Sequence, residues 1–371
     1  MQNLSLLIKP ASGNCNMRCR YCFYADVTNT REIKNRGMMS LDTLEAIVKK
    51  ALSEATRLCT FGFQGGEPTL AGLDFFRALI TFEEQYNKSN IQIAHTLQTN
   101  GLLMDDAWAS FLAANRFLVG LSIDGGKQVH DALRPHAGGR STHHRCLKAA
   151  GLLSKHRVQF NILSVVTDPL AARPDQAYHF YKRYGFRYLQ FIPCLDGLEE
   201  RNGTHSYSLN AKTYGKFLCR MFDLWHSDYK RGDYISIRAF DNYIHMLAGH
   251  PPENCAMVGM CSAYPLIEAD GSVFPCDFYA IDPFLLGNIH THGFDELMRG
   301  EAAIRFAEPS RKAHPACEKC EYFFICRGGC RRDREPIADG VLLRSRFCEA
   351  YKMFFEYTLT RMKRIARSIA P

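Results

Sequence analysis

Cys15-Asn16-Met17-Arg18-Cys19-Arg20-Tyr21-Cys22 follows closely on the apolar run Leu4 to Ile8, and this stretch decides the reading of the whole chain. It carries three thiols and no local fourth. A four-iron cube held by three thiolates keeps one iron free for a small molecule. An incomplete protein ligand set signals chemistry, as the open position of a catalytic zinc does. Tyr21 before Cys22 and Phe23-Tyr24 after it add an aromatic flank. A zinc loop, or three unrelated core cysteines, is the plainer reading of the same residues.

Cysteine usage elsewhere bears on that choice. The chain has 15 cysteines in 371 residues. Met1-Gln2-Asn3 runs into a strand-like segment without a basic leader or a long apolar core, so no export signal is expected. A cysteine-rich chain that is not exported reads as metal-binding rather than disulfide-bonded, in a reducing cytoplasm. No apolar stretch approaches the length of a membrane span, so no membrane association is expected. Cys255, Cys261, Cys276, Cys317, Cys320, Cys326, Cys330 and Cys348 crowd the C-terminal third, enough for two complete sets of four. Cys59, Cys146, Cys194 and Cys219 are left over in apolar or helix-like surroundings, where cysteine acts as a small hydrophobe. A zinc-ribbon pair is the structural alternative for the C-terminal group.

The formal charge of +8 is modest and its basic residues are scattered. Only Arg361, Lys363, Arg364 and Arg367 cluster, and a solvated helix face accounts for them, so nucleic acid is not expected as a partner.

Through residue 235 strand-like runs alternate with amphipathic helices. The predicted strands are Leu4–Ile8, Cys59–Gln64, Ile91–Leu97, Phe117–Ile123, Val158–Val166 and Tyr188–Ile192. Leu41, Leu44, Val48 and Ala51 recur at helical spacing behind Ser40, a residue suited to the N-cap. Six βα units in succession predict a parallel, helix-covered sheet curling into a partial (β/α)6 barrel, with its site at the strand C-terminal ends. The expected division is residues 1–235 for this core and 236–371 for a smaller cysteine-rich domain.

Strand ends supply the candidate site. Gly65-Gly66-Glu67-Pro68 follows the second strand, and its glycines allow close backbone approach to a ligand. Gln98-Thr99-Asn100-Gly101 ends the third. Ser122, Asp124 and, a little further on, Arg134 follow the fourth; a hydroxyl, a carboxylate and a guanidinium suit a zwitterionic nucleoside. Capping and turn chemistry is the alternative for Ser122 and Asp124. Leu195, past the sixth strand, is apolar enough to pack on a base or simply to fill the core.

These residues together resemble an anaerobic sulfatase-maturating enzyme, a radical S-adenosylmethionine (SAM) protein with a C-terminal SPASM domain. The resemblance runs from Leu4 to about Tyr357. It rests on the CxxxCxΦC pattern of Cys15/Cys19/Cys22 with Tyr21, on Gln64-Gly65-Gly66-Glu67-Pro68-Thr69, on Cys276-Asp277-Phe278-Tyr279, on Leu286-Gly287-Asn288-Ile289 and on Cys326-x-Gly328-Gly329-Cys330. It implies three [4Fe-4S] clusters, with Cys255, Cys261, Cys276 and Cys330 on one auxiliary cluster and Cys317, Cys320, Cys326 and Cys348 on the other. Spacing alone does not give that interleaved pairing. The SAM contacts it implies are Tyr21, Gly66, Ser122, Arg134 and Leu195.

The implied activity is oxidation of a cysteine or serine in a sulfatase to Cα-formylglycine. A 5′-deoxyadenosyl radical takes a Cβ hydrogen, a base removes the thiol or hydroxyl proton, and an electron leaves through the auxiliary clusters. Asp277 is the expected base, because Cys276 ties it to a cluster-bearing segment, and Tyr24 is a second polar contact to the peptide. The implied partners are an unfolded or nascent sulfatase with a C/S-x-P-x-R motif and an electron donor such as flavodoxin or ferredoxin. Another SPASM enzyme, forming thioethers or crosslinks in peptides, is the alternative.

Overall fold

The computed structural model describes residues 1–369. Ten strands organise the fold: β1 Asn3–Ile8, β2 Leu58–Phe63, β3 Gln92–Thr99, β4 Leu118–Ser122, β5 Gln159–Val166, β6 Tyr188–Pro193, β7 Ser236–Ile237, β8 Leu266–Ile267, β9 Ser272–Phe274 and β10 Gly287–Asn288. The first six coincide with the predicted strands to within two residues at either end. The chain forms two compact units, each assembled from separated segments. One comprises Met1–Ile123, Asp131–Phe160 and Ser262–Phe306, and the other Asp124–His130, Asn161–Cys261 and the residues from Ala307 onward.

In the first unit β1, β2, β3 and β4 lie side by side and parallel, with Asn3 opposite Leu58 and Ile8 opposite Phe63. Such strands are covered on both faces, which is why Leu58-Cys-Thr-Phe-Gly-Phe63 is mostly apolar rather than alternating. Phe76 is fully buried beneath them and meets Phe63 at 4.9 Å and Trp108 at 5.2 Å between ring centroids. Burying one such ring contributes about 1.5–3 kcal/mol. The helix Leu41–Glu54 starts as its sequence suggests, with Ser40 Oγ accepting from Thr43 N–H at 3.1 Å.

One edge of this sheet went unread in the sequence. β8 adds to β1 in parallel, and β9 and β10 follow antiparallel. Glu54, at the end of the helix Leu41–Glu54, accepts from Phe294 N–H and Asp295 N–H, so the next segment, Phe294–Arg299, begins as a helix on a carboxylate. The addition carries Asp277 to Gln64, the residue after β2.

In the second unit β5, β6 and β7 are parallel. The helices Ala211–Lys230 and Cys348–Ile369 pack together around Phe222, Trp225, Phe240 and Phe354. Trp225 keeps its indole N–H satisfied on Ile235 O at 2.7 Å. Arg361 pairs with Asp223, and most of the remaining basic residues of the last helix face outward, as the solvated-face reading expects. Among the described residues no helix is long and apolar enough to cross a membrane.

Candidate functional site

The three-thiol loop is built against a neighbouring strap. Arg18 N–H and Arg20 N–H donate to Pro135 O and Leu133 O, both at 2.9 Å, and Ala137 N–H donates to Asn16 O at 2.9 Å. Cys22 stands at the N-cap of the helix Phe23–Thr30. Cys15, Cys19 and Cys22 are all partly accessible. Burial pushes the Cys15 thiol up to about 11, and the nearby negative charges of Glu67 and Cys22 add to it. Thiolates so disfavoured as free groups are offset by bonding to cationic iron, so the donor set suits an open iron-sulfur cluster.

Gly66 presses its backbone onto this loop. Glu67 N–H donates to Asn14 O at 2.8 Å, and a Cβ on Gly66 would lie 2.3 Å from that same carbonyl oxygen. The loop also needs φ of +57° there, where glycine alone is unstrained. The backbone at Gly66 thus lies against the cysteine loop itself. Glu67 is buried and knots the strand ends, accepting from Thr69 N–H, Thr69 Oγ1, Thr99 Oγ1 and Asn100 N–H at 2.6–3.2 Å. Burial pushes its carboxyl up despite those donors.

Two residues expected at the nucleoside touch each other: Arg134 Nη1 donates to Tyr21 OH at 2.7 Å. Ser122 ends β4 and accepts from Gln98 Nε2 at 3.0 Å. Leu195 belongs to the second unit, half-buried just past β6. Asp124 is also in that unit, and its Oδ1 accepts from Val165 N–H of β5 at 2.9 Å.

Asp277 follows β9 in a tight turn, Asp277–Tyr279. Its Oδ2 accepts from Gln64 Nε2 at 3.1 Å and from Tyr24 OH at 3.3 Å, while Oδ1 lies 3.5 Å from Cys276 Sγ. Burial of the carboxyl pushes it above the ordinary aspartate range, and its contacts with Cys276 and Tyr24 pull the other way. The sequence places Gln64 at the end of a predicted strand and in the Gly65-Gly66 motif but gives it no role; its position at the end of an apolar strand is the available signal. Phe23 and Phe278 close one side, with ring centroids 4.7 Å apart.

Beneath this group lies a buried ion cluster that sequence reasoning missed. Glu268 Oε1 receives Lys9 Nζ and Arg31 Nη1, each at 2.5 Å, and all three side chains are fully buried. Burial pushes the Glu268 carboxyl up, but the two cations overcome it and hold it down at about 2. Lys9 also stands 5.3 Å from the centroid of the Tyr24 ring.

In the second unit Cys317, Cys320, Cys326 and Cys348 line one cavity with Tyr322, Phe323, Tyr351 and Phe355. Burial pushes Cys326 up to about 11, and the other three thiols add to it. Four thiols converging on one apolar-walled cavity suit a closed cluster. Cys330 is likewise pushed well up by burial, with Cys255 and Cys261 among the neighbouring charges. Cys276, the remaining thiol of that expected set, belongs to the first unit. Cys59, Cys146 and Cys194 are buried core residues as anticipated, and Cys219 is partly accessible.

An open three-thiol loop at the ends of parallel strands, with thiol-rich C-terminal segments, defines a SAM-dependent radical enzyme with auxiliary clusters. Residues 10–169 match the Radical SAM superfamily, and residues 255–321 match the SPASM iron-sulfur cluster-binding domain. The Cysteine-type anaerobic sulfatase-maturating enzyme of Clostridium novyi is 44% identical over 370 residues, covering 100% of this chain and 99% of the relative. The Serine-type anaerobic sulfatase-maturating enzyme of Bacteroides thetaiotaomicron is 29% identical, covering 97% of this chain and 90% of the relative. The solved structure of native anSMEcpe with bound AdoMet and Cp18Cys peptide superposes with a TM-score of 0.95 at 44% identity, covering 99% of both chains. The chain belongs to the anaerobic sulfatase-maturating enzymes.

Proposed function

We propose that this protein oxidises a cysteine side chain in a sulfatase polypeptide to Cα-formylglycine, with Asp277 as the base. Full-length 44% identity to Cysteine-type enzymes, against 29% to a Serine-type enzyme, favours cysteine as the target. The same likeness favours this reaction over thioether or crosslink formation. When bound, SAM and the clusters supply the hydrogen-abstracting radical and the exit for the second electron.

The chain's own residues hold and deprotonate. Cys15, Cys19 and Cys22 would carry the SAM-binding cluster. Cys255, Cys261, Cys276 and Cys330 would carry one auxiliary cluster, and Cys317, Cys320, Cys326 and Cys348 the other. By cluster content, residues 1–235 form the SAM-binding part and 236–371 the auxiliary part. Tyr21, Gly66, Ser122, Arg134 and Leu195 would contact SAM. Asp277 accepts the substrate thiol proton on its carboxylate, and Tyr24 OH and Gln64 Nε2 fix how that carboxylate points. The partner is an unfolded or nascent sulfatase, the reductant a flavodoxin or ferredoxin, and the compartment the cytoplasm.

The observation that carries this reading is the Asp277 carboxylate, gripped by Tyr24 and Gln64 within the unit that holds the three-thiol loop. The test is anaerobic incubation of reconstituted protein with SAM, a reductant and paired peptides carrying Cys or Ser in a C/S-x-P-x-R context. Mass spectrometry should find the carbonyl on the Cys peptide with matching 5′-deoxyadenosine. Deoxyadenosine with both peptides unchanged would move the substrate elsewhere.

A further inference from the structure

Asn100, the residue after β3, is 6% exposed and has its amide fully committed. Its backbone N–H donates to Glu67 Oε2 at 2.8 Å, which fixes the strand end. Its Oδ1 accepts from Leu102 N–H at 2.9 Å. That acceptor role decides the orientation of the amide: with the oxygen turned to Leu102, the NH2 faces the cysteine loop. One hydrogen of Nδ2 goes to Asn16 Oδ1 at 2.7 Å, and Cys15 Sγ lies 3.8 Å from the same nitrogen. Met17 N–H approaches the same sulfur, at 3.4 Å.

A hydrogen bond to a cluster thiolate stabilises the electron-rich, reduced state more than the oxidised one, and so raises the reduction potential. We propose that Asn100 is a positioning and tuning residue of the N-terminal cluster, its Nδ2–H aimed at the Cys15 sulfur by Glu67 and Leu102. It raises the potential at which that cluster accepts one electron from a low-potential one-electron donor. The inference rests on Cys15, Cys19 and Cys22 being the ligands of the SAM-binding cluster.

The test uses full-length, anaerobically reconstituted protein and two variants. Asn100→Leu removes donor and acceptor at similar volume; Asn100→Asp keeps an acceptor for Leu102 and loses the N–H. The readout is a redox titration followed by electron paramagnetic resonance, on the signal that changes when SAM is added. In Asn100→Leu the reduction equilibrium at fixed potential should fall about tenfold, which is ~59 mV for a one-electron couple. Asn100→Asp should move the same way, with the auxiliary signals unmoved and iron content kept. A wild-type midpoint in Asn100→Leu with the cluster present would overturn the proposal. So would loss of that cluster in both variants, since Asn100 would then only support the loop's fold. Cys15→Ala separates the two levels: a SAM-responsive signal surviving there would unseat the ligand reading itself.

Discussion

Replacing Gly66 with alanine puts a methyl carbon 2.3 Å from Asn14 O and 2.9 Å from Ser12 O. Both are backbone atoms of the loop leading into Cys15, so neither can swing aside as a side-chain end would. The φ of +57° adds about 1–2 kcal/mol for any residue with a Cβ. Relief of the overlap requires a shift of roughly 1 Å, and overpacking of this kind costs about 1–3 kcal/mol. The total is about 2–5 kcal/mol, borne by the segment that presents the first thiol. Gly37→Ala is the control, because it has a φ of +76° and nothing within 4 Å. Its cost is conformational only. Thermal midpoint and iron-to-protein ratio should both fall in Gly66→Ala before any SAM is added, and reductive SAM cleavage should drop by about a hundredfold, as a displacement of this size allows. Gly37→Ala should stay within about twofold of wild type in cleavage, as an exposed site with open space for the added methyl. The reasoning is refuted if Gly66→Ala matches Gly37→Ala in midpoint and cluster content and loses only SAM affinity. Gly66 would then be required by the ligand and not by the cysteine loop.

Other expectations follow from the same geometry. Glu268→Gln strands Lys9 and Arg31 as buried cations and should destabilise the fold by about 3–5 kcal/mol at neutral pH, measured by anaerobic denaturant titration. Because the folded Glu268 carboxyl sits at about 2, below its ordinary value, its stabilisation is present above about pH 5. It drains away as pH falls toward 2, so the gap between variant and wild type should narrow over that range; a constant gap would deny the ion pair its role. Asp277→Asn should keep SAM cleavage while lowering formylglycine yield by about 10²–10⁴-fold, the range for losing a general base. Wild-type yield by mass spectrometry would remove Asp277 from that role. Cys317→Ala should cost about four irons of twelve and stop peptide oxidation while some SAM cleavage persists.

Much of this protein was decided by local sequence. The six strands from Leu4 to Ile192 were legible because parallel strands under helices are rich in apolar residues and alternate with amphipathic helices, and the Ser40 cap because an N-cap is a contact between near neighbours. Cys15, Cys19 and Cys22 announced a ligand set for the same reason: the spacing lies within one loop. Three things required the tertiary structure. β8 and β9 are two and three residues long, too short to show any period, and only pairing, of β8 with β1 and of β9 with β8, makes them strands. Asp277 meets Tyr24 and Gln64 across sequence separations of 253 and 213, distances over which spacing carries no information. The Lys9–Glu268–Arg31 cluster is of the same kind: three charges that read as surface residues in sequence become buried partners only when the β8 edge folds against β1. The sequence determined which chemistry the chain carries, because ligand residues must be spelled out locally. The structure alone decided what aims that chemistry, because hydrogen bonds and buried charges select partners by proximity in space.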